Sequence, residues 1–239
     1  MEKKNNITIH QTFWYFVLFS ILGLVIETIY GFITMGIIES RKGLLWGPFC
    51  PVYGVGAVFL IVFLNNVDRK NYFKLFVYGF FIGSIVEYLL SYMLEAIYGA
   101  RFWDYAYVRN NINGRICILY SLFWGILSIL LMNLIKPKVD NLIDKISNKI
   151  KGSVEIAFAL FLLVDVLVTV WAVSTYENRV LNTYYNESTE YTENSDFISN
   201  IINKIENEYF TNERMKKIFP NLRVETREGN QVLVRDLIK

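Results

Sequence analysis

Phe13-Trp-Tyr-Phe-Val-Leu-Phe-Ser-Ile-Leu-Gly-Leu-Val-Ile-Glu27-Thr-Ile-Tyr-Gly-Phe-Ile-Thr-Met-Gly36 decides the fold class, because it runs for 24 residues with one charge, Glu27. A helix crossing the hydrocarbon of a bilayer needs about 20 apolar residues. The stretch is too long for a signal-peptide core and no small-x-small cleavage site follows it, so it reads as a retained spanning helix. Four more stretches of similar character follow, giving expected spans near 13-36, 51-66, 72-98, 116-136 and 154-175. The second is broken at its start by Gly47, Pro48, Pro51, Gly54 and Gly56, which predicts irregular backbone in its first half. The fourth is expected to end at Pro137.

Composition agrees. Hydrophobic residues make up 54% of the chain, and mean hydropathy is +0.32, more than one water-soluble core of this size requires. Eleven of the 22 acidic residues lie after residue 175, so lipid is the expected solvent for residues 1-175 and water for 176-239. The expected architecture is an all-α membrane protein of about five transmembrane helices, one of them Gly/Pro-broken, with a small extracellular C-terminal helix-hairpin segment. A net charge of +2, with basic residues scattered between apolar runs, excludes a nucleic-acid partner. One His and two Cys give no zinc site and no disulfide scaffold. A disulfide between Cys50 and Cys117 is geometrically conceivable; two small buried hydrophobes is the commoner outcome.

Lys3 and Lys4, then Arg69, Lys70 and Lys74, then Lys136, Lys138, Lys145, Lys149 and Lys151 fall on one side of the five-span arrangement, which places the N-terminus in the cytoplasm and the C-terminus outside. Arg41, Lys42, Arg101, Arg109 and Arg115 are left on the outer side. Val139, Leu142, Ile143, Ile146 and Ile150 recur at helical spacing, predicting an amphipathic helix over 138-151 on the cytoplasmic surface. In the tail, Phe197, Ile198, Ile201, Ile202 and Ile205 predict a helix. Residues 222-238 alternate around Glu228-Gly229-Asn230 like a hairpin.

Acids at membrane depth cost about 3 kcal/mol each on insertion scales, so each calls for a partner or a role. Glu27, Glu87 and Asp165 fall near the middle of their segments. Ser20, Gly23, Glu27, Gly31 and Thr34 form one polar stripe; Ser84, Glu87, Tyr88, Ser91, Tyr92 and Glu95 form another; Ser121, Trp124, Gly125 and Ser128 form a third. Apart from Lys74 and Lys136 at the cytoplasmic ends, the spans carry no base of their own, so protons, a bound cation or an outer-loop arginine must balance the acids. Arg41 and Arg115 are the preferred partners of Glu27, Glu87 and Glu95. Asp165 has only Thr169, one turn away, as an obvious polar neighbour. The substrate- or ion-binding candidates are therefore Glu27, Arg41, Tyr53, Glu87, Tyr88, Ser91, Glu95, Trp103, Asp104, Asn113 and Arg115, with no metal ligands among them. A purely structural role, as acid-arginine pairs locking helices together, fits the same residues.

Ordered blocks carry a resemblance. Ser20 to Tyr30, then Arg41-Lys-Gly-Leu-Leu-Trp-Gly-Pro-Phe-Cys-Pro-Val-Tyr-Gly-Val-Gly56, Glu87-Tyr-Leu-Leu-Ser-Tyr-Met-Leu-Glu95, Trp103-Asp-Tyr105, Asn113-Gly-Arg-Ile-Cys117 and Ser121-Leu-Phe-Trp-Gly125 resemble the bacterial type IV ABC-transporter permease family over roughly residues 13-137. Leu24 stands where that pattern has an aromatic residue. The resemblance implies a permease subunit whose partners are membrane lipid, a cytoplasmic ATPase subunit and further copies of the chain. The chain lacks a G-x-x-x-x-G-K-[ST] loop, so ATP enters only through the partner and no cofactor is expected here. Two other classes fit the same residues: an intramembrane enzyme using Glu27 or Glu87 with Arg115 as an anion clamp, and a non-catalytic scaffold or sensor with a ligand-binding tail.

Overall fold

The structure, a computed structural model, describes residues 6-147, 152-185 and 197-237. Lys3, Lys4, Lys149, Lys151 and the last residue of the expected hairpin lie outside these. The first helix, α1 (Ile9–Met35), begins at Thr8, whose hydroxyl accepts the Gln11 amide at 3.2 Å while the Gln11 side chain accepts the Thr8 amide at 3.0 Å. This reciprocal arrangement satisfies two donors that a helix start otherwise leaves unpaired.

After α1 the chain turns back without helix. Arg41 lies against Gly31, and the Cys50 amide donates to the Ser20 carbonyl at 3.1 Å. The non-helical stretch thus descends along eleven residues of α1, about 17 Å. Only there does α2 (Pro51–Leu64) begin, with Pro at its first position, where a missing amide costs nothing. Its 14 residues span about 21 Å, too little for a bilayer alone; the loop above it supplies the rest of the path. Irregular backbone at this depth needs internal partners, and the loop finds them on other helices, as shown below.

α3 (Tyr72–Tyr98) starts at Asn71, whose side chain accepts the Lys74 amide. It leads into a short strand, β1 (Ala100–Arg101), and a two-stranded turn, β2 (Asn111–Ile112) with β3 (Ile116–Cys117). α4 (Ile118–Leu130) then packs closely along α3. A Cβ at Gly83 would collide with the Trp124 ring, so glycine there is what lets the indole seat between the helices.

The fourth helix does not stop at Pro137. A π-helical turn over Leu131–Ile135 leads directly into α5 (Lys136–Ser147), and the Lys136 amide donates to the Leu131 carbonyl. The wider turn takes up the register where proline lacks an amide and its ring would press on a carbonyl. The expected amphipathic surface helix is thus a continuation of the span. It is tied to α1 where the Tyr15 hydroxyl donates to Asp140 at 2.5 Å and Lys136 reaches Asp140 at 2.7 Å.

α6 (Gly152–Tyr184) runs 33 residues, about 50 Å, continuing past residue 175. At its start Glu155 accepts from Trp14 at 2.8 Å and lies 2.7 Å from His10, which fixes the first ends of α1 and α6 together. Against its far end pack α7 (Phe197–Tyr209), α8 (Asn212–Ile218), the hairpin β4 (Arg223–Glu225) and β5 (Gln231–Leu233), and α9 (Val234–Leu237). β4 pairs antiparallel with β1, Ala100 opposite Val224, so the tail joins the membrane helices through a three-stranded sheet. Tyr98, Val173, Tyr176, Phe219, Leu222 and Val224 form a second apolar core beneath it.

Elsewhere the helices turn apolar side chains outward. Ile33 is 75% exposed and Phe73 77%, which water would penalise and lipid does not. Four helices are long and apolar enough to cross a membrane, and α2 is a shorter apolar one. The chain is an all-α, multi-pass membrane protein.

Candidate functional site

A cavity of about 320 Å³ lies where the non-helical loop meets α1, α3, α4 and α6. Most of its wall is apolar. Its charged lining is Glu27, Arg41, Lys42 and Glu87, one acid from α1, one from α3 and two bases from the loop. Phe219, Pro220, Asn221 and Leu222 of the tail close one side.

Each acid is held differently. The Tyr53 hydroxyl donates to Glu27, and a Cβ at Gly23 would overlap the Tyr53 ring, so the small residue on α1 makes room for this contact. Arg41 lies 3.9 Å from Glu27 and also 3.9 Å from Glu39, which pairs with Arg235 of the tail at 2.7 Å. An ion chain thus runs from the cavity wall to the C-terminal segment. Glu87, only 8% exposed, accepts from the Tyr105 hydroxyl at 2.8 Å and from the Trp124 indole at 2.9 Å. Both donors are neutral, so the carboxyl is hydrogen-bonded without an ion-pair partner. Burial, and then the Glu87 carboxylate, hold the Tyr105 phenol well above its ordinary value, so it stays protonated and donating.

The loop that carries Arg41 and Lys42 is pinned on α6. The Leu45 amide donates to the Thr169 hydroxyl at 3.0 Å, and the Trp46 amide donates to Asp165 at 3.2 Å, while Thr169 also donates to Asp165 at 3.3 Å. Asp165 is fully buried, and one of its carboxylate oxygens receives a backbone donor from a segment with no helical ladder of its own. It faces a loop 119 residues away, which helical spacing within α6 cannot reveal.

The remaining candidates gather elsewhere. Arg115 donates to Ser91 at 3.2 Å and to Glu95, and sits between Tyr88 and Tyr92, 5.9 and 5.4 Å from their ring centres. Arg101 reaches Glu95 at 2.6 Å and Asn113 donates to Tyr88 at 3.0 Å. Arg115 therefore pairs with Glu95, while Glu87 has no arginine at all. Trp103 links the two groups: it lines the cavity, and its indole donates to the Arg115 carbonyl at 3.1 Å. Asp104 accepts the Ala106 amide at 2.9 Å and shapes the loop turn. The candidates thus separate into a cavity set, Glu27, Arg41, Tyr53, Glu87 and Trp103, and a knot at the end of α3 made by Tyr88, Ser91, Glu95, Asn113 and Arg115.

Tyr105, Trp124 and the tail residues were absent from the candidate set. Trp124 was visible as part of a stripe on the fourth helix, but its pairing with Glu87 needs the α3–α4 register. Cys50 and Cys117 are both buried and unbonded. Among the described residues no cluster of His, Cys, Asp and Glu is arranged to hold a metal.

The model of the family described as "Putative ABC-transporter type IV" matches residues 14–170, which takes in most of α1, all of α2 to α5 and the first part of α6 and leaves the tail outside. No curated protein and no solved structure matches the chain.

Proposed function

The chain belongs to the family described as "Putative ABC-transporter type IV", and from that premise we propose that it is the membrane-embedded permease subunit of an ABC-type transporter, with a separate ATPase supplying the energy. Family and apolar helices fit a membrane transporter component. The observation that carries the finer reading is the cavity: a ligand-sized space beside two acids, in a bundle whose outer faces suit lipid. A wall built from a non-helical loop and a half-length helix is a common way for transport proteins to place polar groups at membrane depth.

The orientation proposed is cytoplasmic at the start of α1 and extracellular at the tail. Arg69, Lys70, Lys74, Lys136, Lys138 and Lys145 lie at the end of the bundle opposite the β1–β4 sheet, which favours that assignment. Lys138 and Lys145 are exposed on α5, a continuation of the fourth span, and this surface is where the ATPase docks in our reading.

The test is purification of the tagged full-length chain from its native membrane in mild detergent. The expected result is a co-purifying ATPase and vanadate-sensitive ATP hydrolysis in the eluate. A chain that elutes alone, with no hydrolysis, contradicts the proposal.

A further inference from the structure

The two acids on the cavity wall are not partnered alike. Arg41 is shared between Glu27 and Glu39, and Glu39 is closed by Arg235. Lys42 is the second base on the wall. Glu87 is the wall acid with no ion-pair partner among the described residues; its donors are a phenol and an indole. Those same groups give the space an aromatic lining: Tyr53, Trp103, Tyr105 and Trp124 all reach the wall, with Phe102 and Phe219 closing the side toward the tail. Aromatic faces carry negative potential and hold a cation whose hydration shell has been removed. A buried carboxyl with no ion-pair partner, in an apolar and aromatic chamber, is a group that a positively charged guest can pair with and a neutral one cannot.

We propose that the cavity binds a compact lipophilic organic cation, its ammonium group against Glu87 and its apolar body against the aromatic wall. This deepens the transporter reading and rests on the cavity being where cargo sits. Glu87 reads the charge. Phe219 to Leu222 lie outside the family match, so part of the wall that fits the apolar body is supplied by the tail rather than by the matched residues.

The experiment measures binding of radiolabelled benzyltrimethylammonium to the full-length chain in nanodiscs, corrected for uptake by empty discs. Unlabelled benzyltrimethylammonium, its neutral isostere neopentylbenzene and the anion benzenesulfonate serve as competitors. The cation is expected to compete at least tenfold better than the isostere, and the anion not at all. Glu87→Gln is expected to lower binding at least tenfold and Glu87→Asp to restore part of it, while Glu213→Gln, on the exposed face of α8, leaves it unchanged. Equal competition by the isostere, stronger competition by the anion, or full binding by Glu87→Gln overturns the proposal. An ATPase that co-purifies while the cation fails to bind removes only this inference; cation binding by a chain that elutes alone removes only the transporter reading.

Discussion

Replacing Thr169 with valine keeps the side-chain volume and removes one hydroxyl. Two hydrogen bonds go with it: the Leu45 amide loses its acceptor at 3.0 Å, and Asp165 loses a donor at 3.3 Å. Thr169 is fully buried and Leu45 nearly so, which leaves no route for water to compensate. A buried donor without a partner costs about 1–3 kcal/mol, whereas an average side-chain hydrogen bond between membrane helices is worth about 0.6 kcal/mol. The Leu45 amide lies in non-helical backbone and has no carbonyl one turn back to fall on, so the upper range applies. We expect a loss of about 2 kcal/mol, a factor of about 30 in the unfolding equilibrium. Ser84→Ala is the comparison, because the Ser84 hydroxyl bonds the Phe80 carbonyl of its own helix and Ser121 at 2.7 Å; its cost should stay near 0.6 kcal/mol. Reversible unfolding of both variants in mixed micelles measures the difference. A Thr169→Val cost no larger than that of Ser84→Ala would refute the claim that α6 pins the loop.

Gly83→Ala should force Trp124 off its seat and cost about 1–3 kcal/mol, as overpacking does, with a red shift in the Trp124 contribution to fluorescence; an unshifted spectrum at native stability contradicts the packing described. Phe219→Ala in a Cys117→Ser background should raise the rate at which a small maleimide labels Cys50 severalfold, since both residues line the cavity; an unchanged rate means the tail does not close it. At the hairpin, hydrogen bonds from the Thr226 side chain, from its own amide and from Tyr185 hold the exposed Glu228 carboxyl below its ordinary value. A depressed carboxylate stabilises above its unfolded value and loses that contribution as pH falls through the folded one. Amide exchange at Gly229 should accordingly quicken only below the ordinary carboxylate range, and flat protection down to pH 2 tells against this contact.

Lipid as the solvent of the long stretches was legible because length and charge depletion report it directly. The broken second span was legible too, since Pro48, Pro51 and the glycines cannot hold a lipid-facing helix. Glu228-Gly229-Asn230 specified its hairpin through local turn chemistry. What escaped the sequence depends on which surfaces meet. Asp165 showed an acid in an apolar helix but not the loop amides that it serves. The apolar face of the tail called for a partner without naming β1 and α6, so the segment read as an appendage, whereas it closes the cavity. Pro137 signalled a helix end, and a π turn upstream removed the conflict. Arg115 was a candidate outer-loop partner for both Glu87 and Glu95, yet Glu95 lies nearer the end of α3 and takes the arginine.

The claim beneath all of this is that the space beside Glu27 and Glu87 holds cargo. A cryo-electron microscopy map of the full-length chain, carried from its native membrane into nanodiscs, tests it most directly. The account predicts non-protein density in the cavity within hydrogen-bonding reach of the Glu87 carboxylate. A chamber filled only by acyl chains or collapsed side chains, with Glu87 touching Tyr105 and Trp124 alone, would contradict it.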